Sequence, residues 1–303
     1  MIETQTRKKK SNLKGENPFA MSLVNGWLII FAVISVVPMI WLVLAPTKTD
    51  PQLSSSNPLA VGSLSGYWHA WHHLNFFDDG VVAQWAWNSV WYTAMIVVIA
   101  TITASLAGFV LSASRIRFKR VFLISTLIFM LVPPMALVVP VFVLMDKLNL
   151  TDNPWSVILV SSLYPFGAFL SYIYYSTTIP KELYESARLD GCNDFRLFTK
   201  IALPLSTPLL SLLAFFAFIG NWGNYFLPYI LLPSPEHYTL PIGLGFLFVS
   251  TPALNPGVGA TSVPVYKPEI ALAGVLVAVP IMLVFMFSQK RLVRGMLAGS
   301  IKE

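Results

Sequence analysis

The chain has 303 residues, 55% of them hydrophobic and only 11% charged, with a net charge of +6 and a mean hydropathy of +0.67. Soluble domains carry about 25% charged residues, so this composition cannot clothe a water-facing surface and excludes an ordinary soluble enzyme or binding module. The positive charge does not mark a nucleic-acid-binding face, because the basic residues lie in short segments between apolar blocks and not on one polar module.

Residues 1–24 form a polar, basic tail with Arg7, Lys8, Lys9, Lys10 and Lys14. The tail lacks a short apolar core with a small-residue cleavage site, so it is expected to be a retained cytoplasmic segment. Six apolar blocks follow, at 25–45, 89–113, 121–145, 155–176, 205–232 and 269–289, each close to the roughly 20 residues that cross a hydrocarbon core. Backbone groups in lipid must pair internally, so each block is expected to be a helix. The predicted fold is therefore an all-α polytopic membrane domain over 25–289, closed by a tail at 290–303.

Of the 20 Lys and Arg, all but Lys48, Lys147 and Lys267 fall in the tails and in the segments after the second and fourth blocks. That bias places both termini in the cytoplasm. Trp85, Trp87, Trp91, Tyr92 and Trp155 mark an outer interface or are scattered core aromatics.

Apart from Glu269, at the start of the sixth block, no ionisable side chain falls inside a predicted span. Ion-coupled carriers place costly charges at that depth, so such a carrier is disfavoured, although backbone carbonyls can also hold sodium. Prolines interrupt the spans at Pro38, Pro133, Pro134, Pro140, Pro165, Pro228 and Pro280. They mark kinks around a cavity, or reflect the general frequency of proline in membrane helices. Between the first two blocks, His69, His72 and His73 have spacings of three and four. They read as two imidazoles for one metal or as an interfacial amphipathic turn. The single cysteine, Cys192, has no partner for an intrachain disulfide.

The segment 177–204 between the fourth and fifth blocks reads as two short helices around a break. Thr178 is the expected cap of the first, with Pro180 and Glu182 in its first turn. Gly191 supplies a left-handed end. Asn193 or Asp194 caps the second, which carries Phe195, Phe198, Ile201 and Ala202 on one expected face. Such an elbow serves as a docking site or lies on the membrane surface.

Within it, Glu185-Ser186-Ala187, then three residues ending at Asp190, Gly191, nine residues, Ile201, one residue, and Leu203-Pro204 follow one another. This resembles the cytoplasmic Glu-Ala-Ala signature of bacterial permeases of binding-protein-dependent ABC importers, with Ser186 for one alanine. Trp87-Asn88-Ser89, the basic turn from Arg115 to Arg120, Asn221-Trp222-Gly223-Asn224-Tyr225, the ending from Gln289 to Gly295, and Gly299-Ser300-Ile301-Lys302 resemble the maltose-type sugar permeases. Gly223 stands where asparagine is usual in that family.

The resemblance implies a type I ABC importer permease fold, alternating access and a carbohydrate cargo. It implies a second permease subunit as heterodimer partner, two ATP-binding subunits, an extracytoplasmic solute-binding protein, and a bacterial inner-membrane location. ATP and magnesium then belong to the partner ATPase, since the chain has no phosphate-binding Gly-rich Lys-Ser/Thr loop. Glu185, Ser186, Ala187, Asp190, Gly191, Ile201, Leu203 and Pro204 would couple to that ATPase. Asn221, Trp222, Asn224 and Tyr225 would line the substrate pathway, or pack against a neighbouring helix. The loop 233–268 would meet the binding protein or serve as a connector. Glycerol phosphate cargo and a non-transporting membrane scaffold are the competing readings.

Overall fold

A computed structural model of the chain describes residues 18–76, 80–114, 116–251 and 265–298. The basic N-terminal tail, Asp78, Arg115, the middle of the last loop and residues 299–303 lie outside the described residues. Among the described residues the chain is helical, with no strand.

The helices are α1 (Pro18–Leu44), α2 (Asp50–Ser55), α3 (Ser65–Phe76), α4 (Val81–Ala113), α5 (Lys119–Leu131), α6 (Pro134–Lys147), α7 (Pro154–Ser162) and α8 (Pro165–Thr177). The chain continues with α9 (Lys181–Leu189), α10 (Asp194–Leu197), α11 (Leu203–Leu205), α12 (Thr207–Trp222), α13 (Phe226–Leu231), α14 (Leu240–Ser250) and α15 (Lys267–Ala298). Four segments, Met21–Thr47, Val81–Ala113, Pro154–Thr177 and Lys267–Gln289, are long and apolar enough to cross a membrane. Two bent pairs raise the number to six when each pair is one span.

The bends have local causes. Helices α5 and α6 meet at 105°. Val132 and Pro133 each precede a proline, which disfavours the helical region, and both are extended, with ψ of 123° and 125°. The third block is therefore not the single straight helix expected over 121–145. The fourth span is interrupted in the same way at Leu163 and Tyr164, before Pro165. Pro280 sits inside α15 and removes one backbone donor. Three residues earlier, the Val277 carbonyl accepts the Trp222 indole N–H at 2.8 Å, which ties the fifth span to the sixth.

Helix α4 is the axis of the bundle and packs on α7, α8 and α12. At one end its last turn joins the elbow of α9–α11. At the other end its first turns join the loops that precede α7, α14 and α15. The first span stands apart: only 6% of its apolar window is buried within the chain. Helix α5 likewise buries no residue. Apolar faces of this extent are stable only against lipid or another membrane subunit.

Candidate functional site

The elbow begins at Pro180, not at Thr178. Thr178 instead closes α8, its N–H bonded to the Tyr174 carbonyl. Had Thr178 been the cap, Ile179, which precedes Pro180, would have to adopt the helical conformation that a following proline disfavours. Pro180 occupies the N-cap and Glu182 the first turn of α9, as the dipole favours.

The other end of α9 is a Schellman turn. The Cys192 N–H bonds the Ala187 carbonyl and the Gly191 N–H bonds that of Arg188, both at 3.0 Å. Gly191 sits at φ +81°, the left-handed region that glycine enters without penalty. Asn193 then caps α10, its side-chain oxygen accepting the Arg196 N–H at 2.9 Å. Residues Phe198–Ala202 form a π turn, closed by the Leu203 N–H on the Phe198 carbonyl. In an unbroken α-helix Phe195 and Ala202, seven residues apart, would share a line. The extra residue in the π turn swings them apart. Leu197, Phe198 and Ala202 are buried, Ile201 is half-buried, and Phe195 is 73% exposed, which corrects the expected face.

Of the signature residues, Glu185, Ser186, Asp190, Gly191 and Pro204 are exposed, Ala187 is buried, and Ile201 and Leu203 are half-buried. Two large apolar side chains, Leu189 at 90% and Phe195 at 73% exposure, flank the turn.

The elbow is tied to the spans chiefly through Phe109, Tyr175, Tyr184 and Arg188, which the sequence did not single out. Phe109, in the last turns of α4, contacts three rings edge-on or tilted: Tyr175 of α8 at 5.8 Å, Tyr184 of α9 at 5.9 Å and Phe198 at 5.1 Å. Tyr175 bridges Ser105 of α4 and Ser206, at the start of α12, through hydroxyl contacts of 2.8 and 3.0 Å. Arg188 donates to the Ala113 carbonyl at 2.8 Å and to Asp194 at 3.1 Å. The second Asp194 oxygen accepts from the Ser114 hydroxyl at 3.1 Å. The Tyr184 hydroxyl is buried and bonds no other described residue. Burial, then the nearby Tyr175 and Tyr174, pushes this phenol well above its ordinary pKa.

At the opposite end, the loop after the fifth span is stitched to α4. Gln84 and Asn88 donate to the Glu236 carbonyl at 2.9 and 2.8 Å, and Asn88 also to that of Tyr238 at 3.0 Å. Trp85 donates to the Pro235 carbonyl, and the Ser89 hydroxyl accepts the Leu240 N–H at 2.7 Å. Asp152 accepts from the Ser234 hydroxyl and N–H and lies 3.1 Å from His237 Nδ1. Burial raises the Asp152 pKa, but the bonds from Ser234 and His237 outweigh it and hold the carboxyl below the usual range. The first part of the loop 233–268 is thus an ordered turn and helix, and 252–264 lies outside the described residues.

The three histidines lie on α3. His73 Nδ1 is 3.2 Å from Glu269 Oε1, and the other Glu269 oxygen accepts the Tyr266 N–H. Among the described residues no group of three or more His, Cys, Asp or Glu is placed to hold a metal. His73 ties α3 to the start of the last span.

The four residues read as a pathway are not brought to one face. Trp222 is buried, stacks on Phe218 at 5.5 Å and is tied to Val277. Asn221 is half-buried and donates to the Ala217 carbonyl of its own helix at 2.7 Å. Asn224 is half-buried and Tyr225 exposed, at a break between α12 and α13.

A helical bundle with broken spans and a compact elbow is the architecture of a transport permease. Residues 100–298 match the family described as "Binding-protein-dependent transport system inner membrane component", and the chain belongs to it. It is 32% identical over 272 residues to the arabinooligosaccharides transport system permease protein AraQ of Halalkalibacterium halodurans, covering 89% of this chain and 92% of that one. It is also 32% identical over 260 residues to the maltodextrin transport system permease protein MdxG of Bacillus subtilis, covering 82% and 89%. Among solved structures, a bacterial ABC transporter involved in the import of the acidic polysaccharide alginate superposes with a TM-score of 0.74. That match has 24% identity and covers 89% of this chain and 96% of the other, so it establishes the type I permease fold.

Proposed function

We propose that the chain is one pore-forming subunit of an ATP-driven carbohydrate importer in a bacterial inner membrane. Its termini and elbow face the cytoplasm, and the stitched loop end faces outward. A second, different permease subunit completes the pore. Two ATP-binding subunits sit beneath it, holding ATP and magnesium, and a solute-binding protein delivers cargo to the outer face around 233–268. The oligosaccharide permeases among its relatives support the cargo class. The absence of any Lys or Arg from the interiors of the apolar spans disfavours a phosphate cargo.

The observation that carries the reading is the elbow itself. Glu185, Ser186 and Asp190 stand exposed beside Leu189 and Phe195, a polar and apolar surface suited to a partner groove. Behind it Ala187 allows close packing on the bundle, Gly191 sets the turn, and Ile201, Leu203 and Pro204 lead into the fifth span. When the ATPase pair closes, the displaced elbow pulls on α4 through Arg188 and Phe109 and on α8 and α12 through Tyr175. A loose loop would absorb that displacement; the bonded elbow transmits it. The nucleotide shifts the access equilibrium only by its differential affinity for the two states.

The test is a Glu185→Lys variant in the complete complex. Expected is normal assembly with loss of sugar-stimulated ATPase activity and uptake; wild-type levels of both would remove Glu185 from the dock.

A further inference from the structure

We infer that the His73–Glu269 contact is a proton-operated latch, which holds the outer end of the last span against α3 when the imidazole is charged and slackens when it is neutral. That the latch senses the medium outside rests on the orientation proposed above; the latch itself depends neither on that orientation nor on the cargo.

The two partners differ in the way a sensor needs. The Glu269 side chain is 7% exposed and that of His73 58%. The carboxylate is held beside Ile270, Leu272 and Ala273, in the apolar cluster that also takes in Ala70 and Leu74 of α3. The imidazole exchanges protons with water, and its kind changes charge between pH 5 and 8. When it is charged, the 3.2 Å contact is an ion pair. When it is neutral it can keep a hydrogen bond, but the buried carboxylate loses its counter-charge, and a buried charge without one is costly. The tie is therefore strong in acid and weakens as pH rises through the imidazole range.

No other described group replaces the imidazole. The Tyr266 N–H bonds the second Glu269 oxygen whether or not His73 is charged. Lys267 is directed elsewhere, its Nζ donating to Ser54 at 2.8 Å and its N–H to Asp50 at 3.2 Å. Lys48 is buried and donates to the carbonyls of Asn57 and Pro58. Tyr67 of α3 donates to the Val43 carbonyl, near the end of the first span. Helices α1, α4, α12 and α14, which also pack on α3 or α15, carry no charged residue. His69 and His72 occupy exposed positions of α3 itself, and Asp78 and Asp79 lie outside the described residues.

The other two ion pairs among the described residues lack this sensitivity. Arg188, at the elbow, stays charged throughout. His237 faces Asp152, but that carboxylate is 31% exposed and keeps both Ser234 donors when the imidazole is neutral. Because α15 is also tied to the fifth span through Trp222 and Val277, the His73 latch joins the first outer loop to the last two spans.

The test uses the whole transporter in nanodiscs, with Ala273→Cys in a Cys192→Ala background as reporter. Ala273 is 2% exposed and lies one turn beyond Glu269, so a soluble thiol reagent reaches it when the joint opens. Ala70→Cys, 2% exposed on the α3 side, is the second reporter. Labelling rates with His73 and with His73→Gln are compared at the same pH, which cancels the titration of the thiol. Expected is labelling several-fold slower with His73 at about pH 5.5 and equal rates at about pH 8.5; the exposed imidazole is screened, so the effect is no larger. Glu269→Gln should abolish the difference at the lower pH, and His237→Gln should leave it. Equal rates at about pH 5.5, or a difference that persists at about pH 8.5, overturns the latch. In sealed vesicles, a response to the inner pH alone overturns the outward orientation and the sensing of the medium, and keeps the latch.

Discussion

The guanidinium of Arg188 reaches across to the carbonyl of Ala113, the last residue of α4, at 2.8 Å. One side chain of the elbow thereby caps the helix that forms the axis of the bundle, and the same nitrogen holds Asp194 on the other arm of the turn. The bond to Ala113 is charge-assisted, whereas the pair with Asp194 is more than half exposed on the acid and screened by water.

Removing the strut should uncouple the elbow before it unfolds the protein. Arg188→Ala is expected to cost about 1–2 kcal/mol, with co-purification of the partner subunits retained and sugar-stimulated ATPase activity reduced. Arg188→Lys should restore only part of it, since the lysine side chain is one atom shorter and its ammonium lacks the fixed planar geometry that aims the Arg188 nitrogen at both acceptors.

Gly191 tests the turn geometry. A left-handed residue costs about 1–2 kcal/mol for most side chains, and asparagine tolerates the region best. Uptake is therefore expected to fall in the order glycine, asparagine, valine. A Gly191→Val variant as active as the Asn variant would mean the left-handed turn is not needed.

The ring cluster separates packing from polar satisfaction. Tyr184→Phe removes a buried hydroxyl that bonds no other described residue, so its thermal midpoint in detergent should stay level or rise. Phe109→Ala deletes the ring shared by three contacts and is expected to cost about 3–5 kcal/mol.

Asp152 predicts an acid limit on the outer joint. Its folded pKa lies below the ordinary 3.8, so the stability it contributes is fully present above that value. It is lost as pH falls through the lower, folded value. Melting curves of the complex should therefore show an acid loss below about pH 4 that Asp152→Asn flattens.

The sequence carried most of this architecture, because apolar length and Lys/Arg placement are local signals. The Glu185-to-Pro204 spacing located the elbow, Gly191 was readable as its turn, and the cap was narrowed to Asn193 or Asp194, of which Asn193 is the one used. What escaped was set by tertiary contact. The second span begins at Val81, eight residues before the apolar block, because Gln84, Trp85 and Asn88 spend their donors on loop carbonyls, the latter two from buried positions. Arg188 and Asp194 are six residues apart, not a helical spacing, and meet only because Gly191 turns the chain. Two prolines in succession at 133–134 signalled a kink, but not a 105° bend.

The most direct measurement is cross-linking from the elbow tip. Leu189→Cys, in a Cys192→Ala background, is expressed with the partner ATPase and treated with a short bifunctional thiol reagent. The account predicts a covalent product with the ATPase whose yield changes when ATP is added. No product, together with labelling of residue 189 by an impermeant reagent applied from outside the cell, would contradict it.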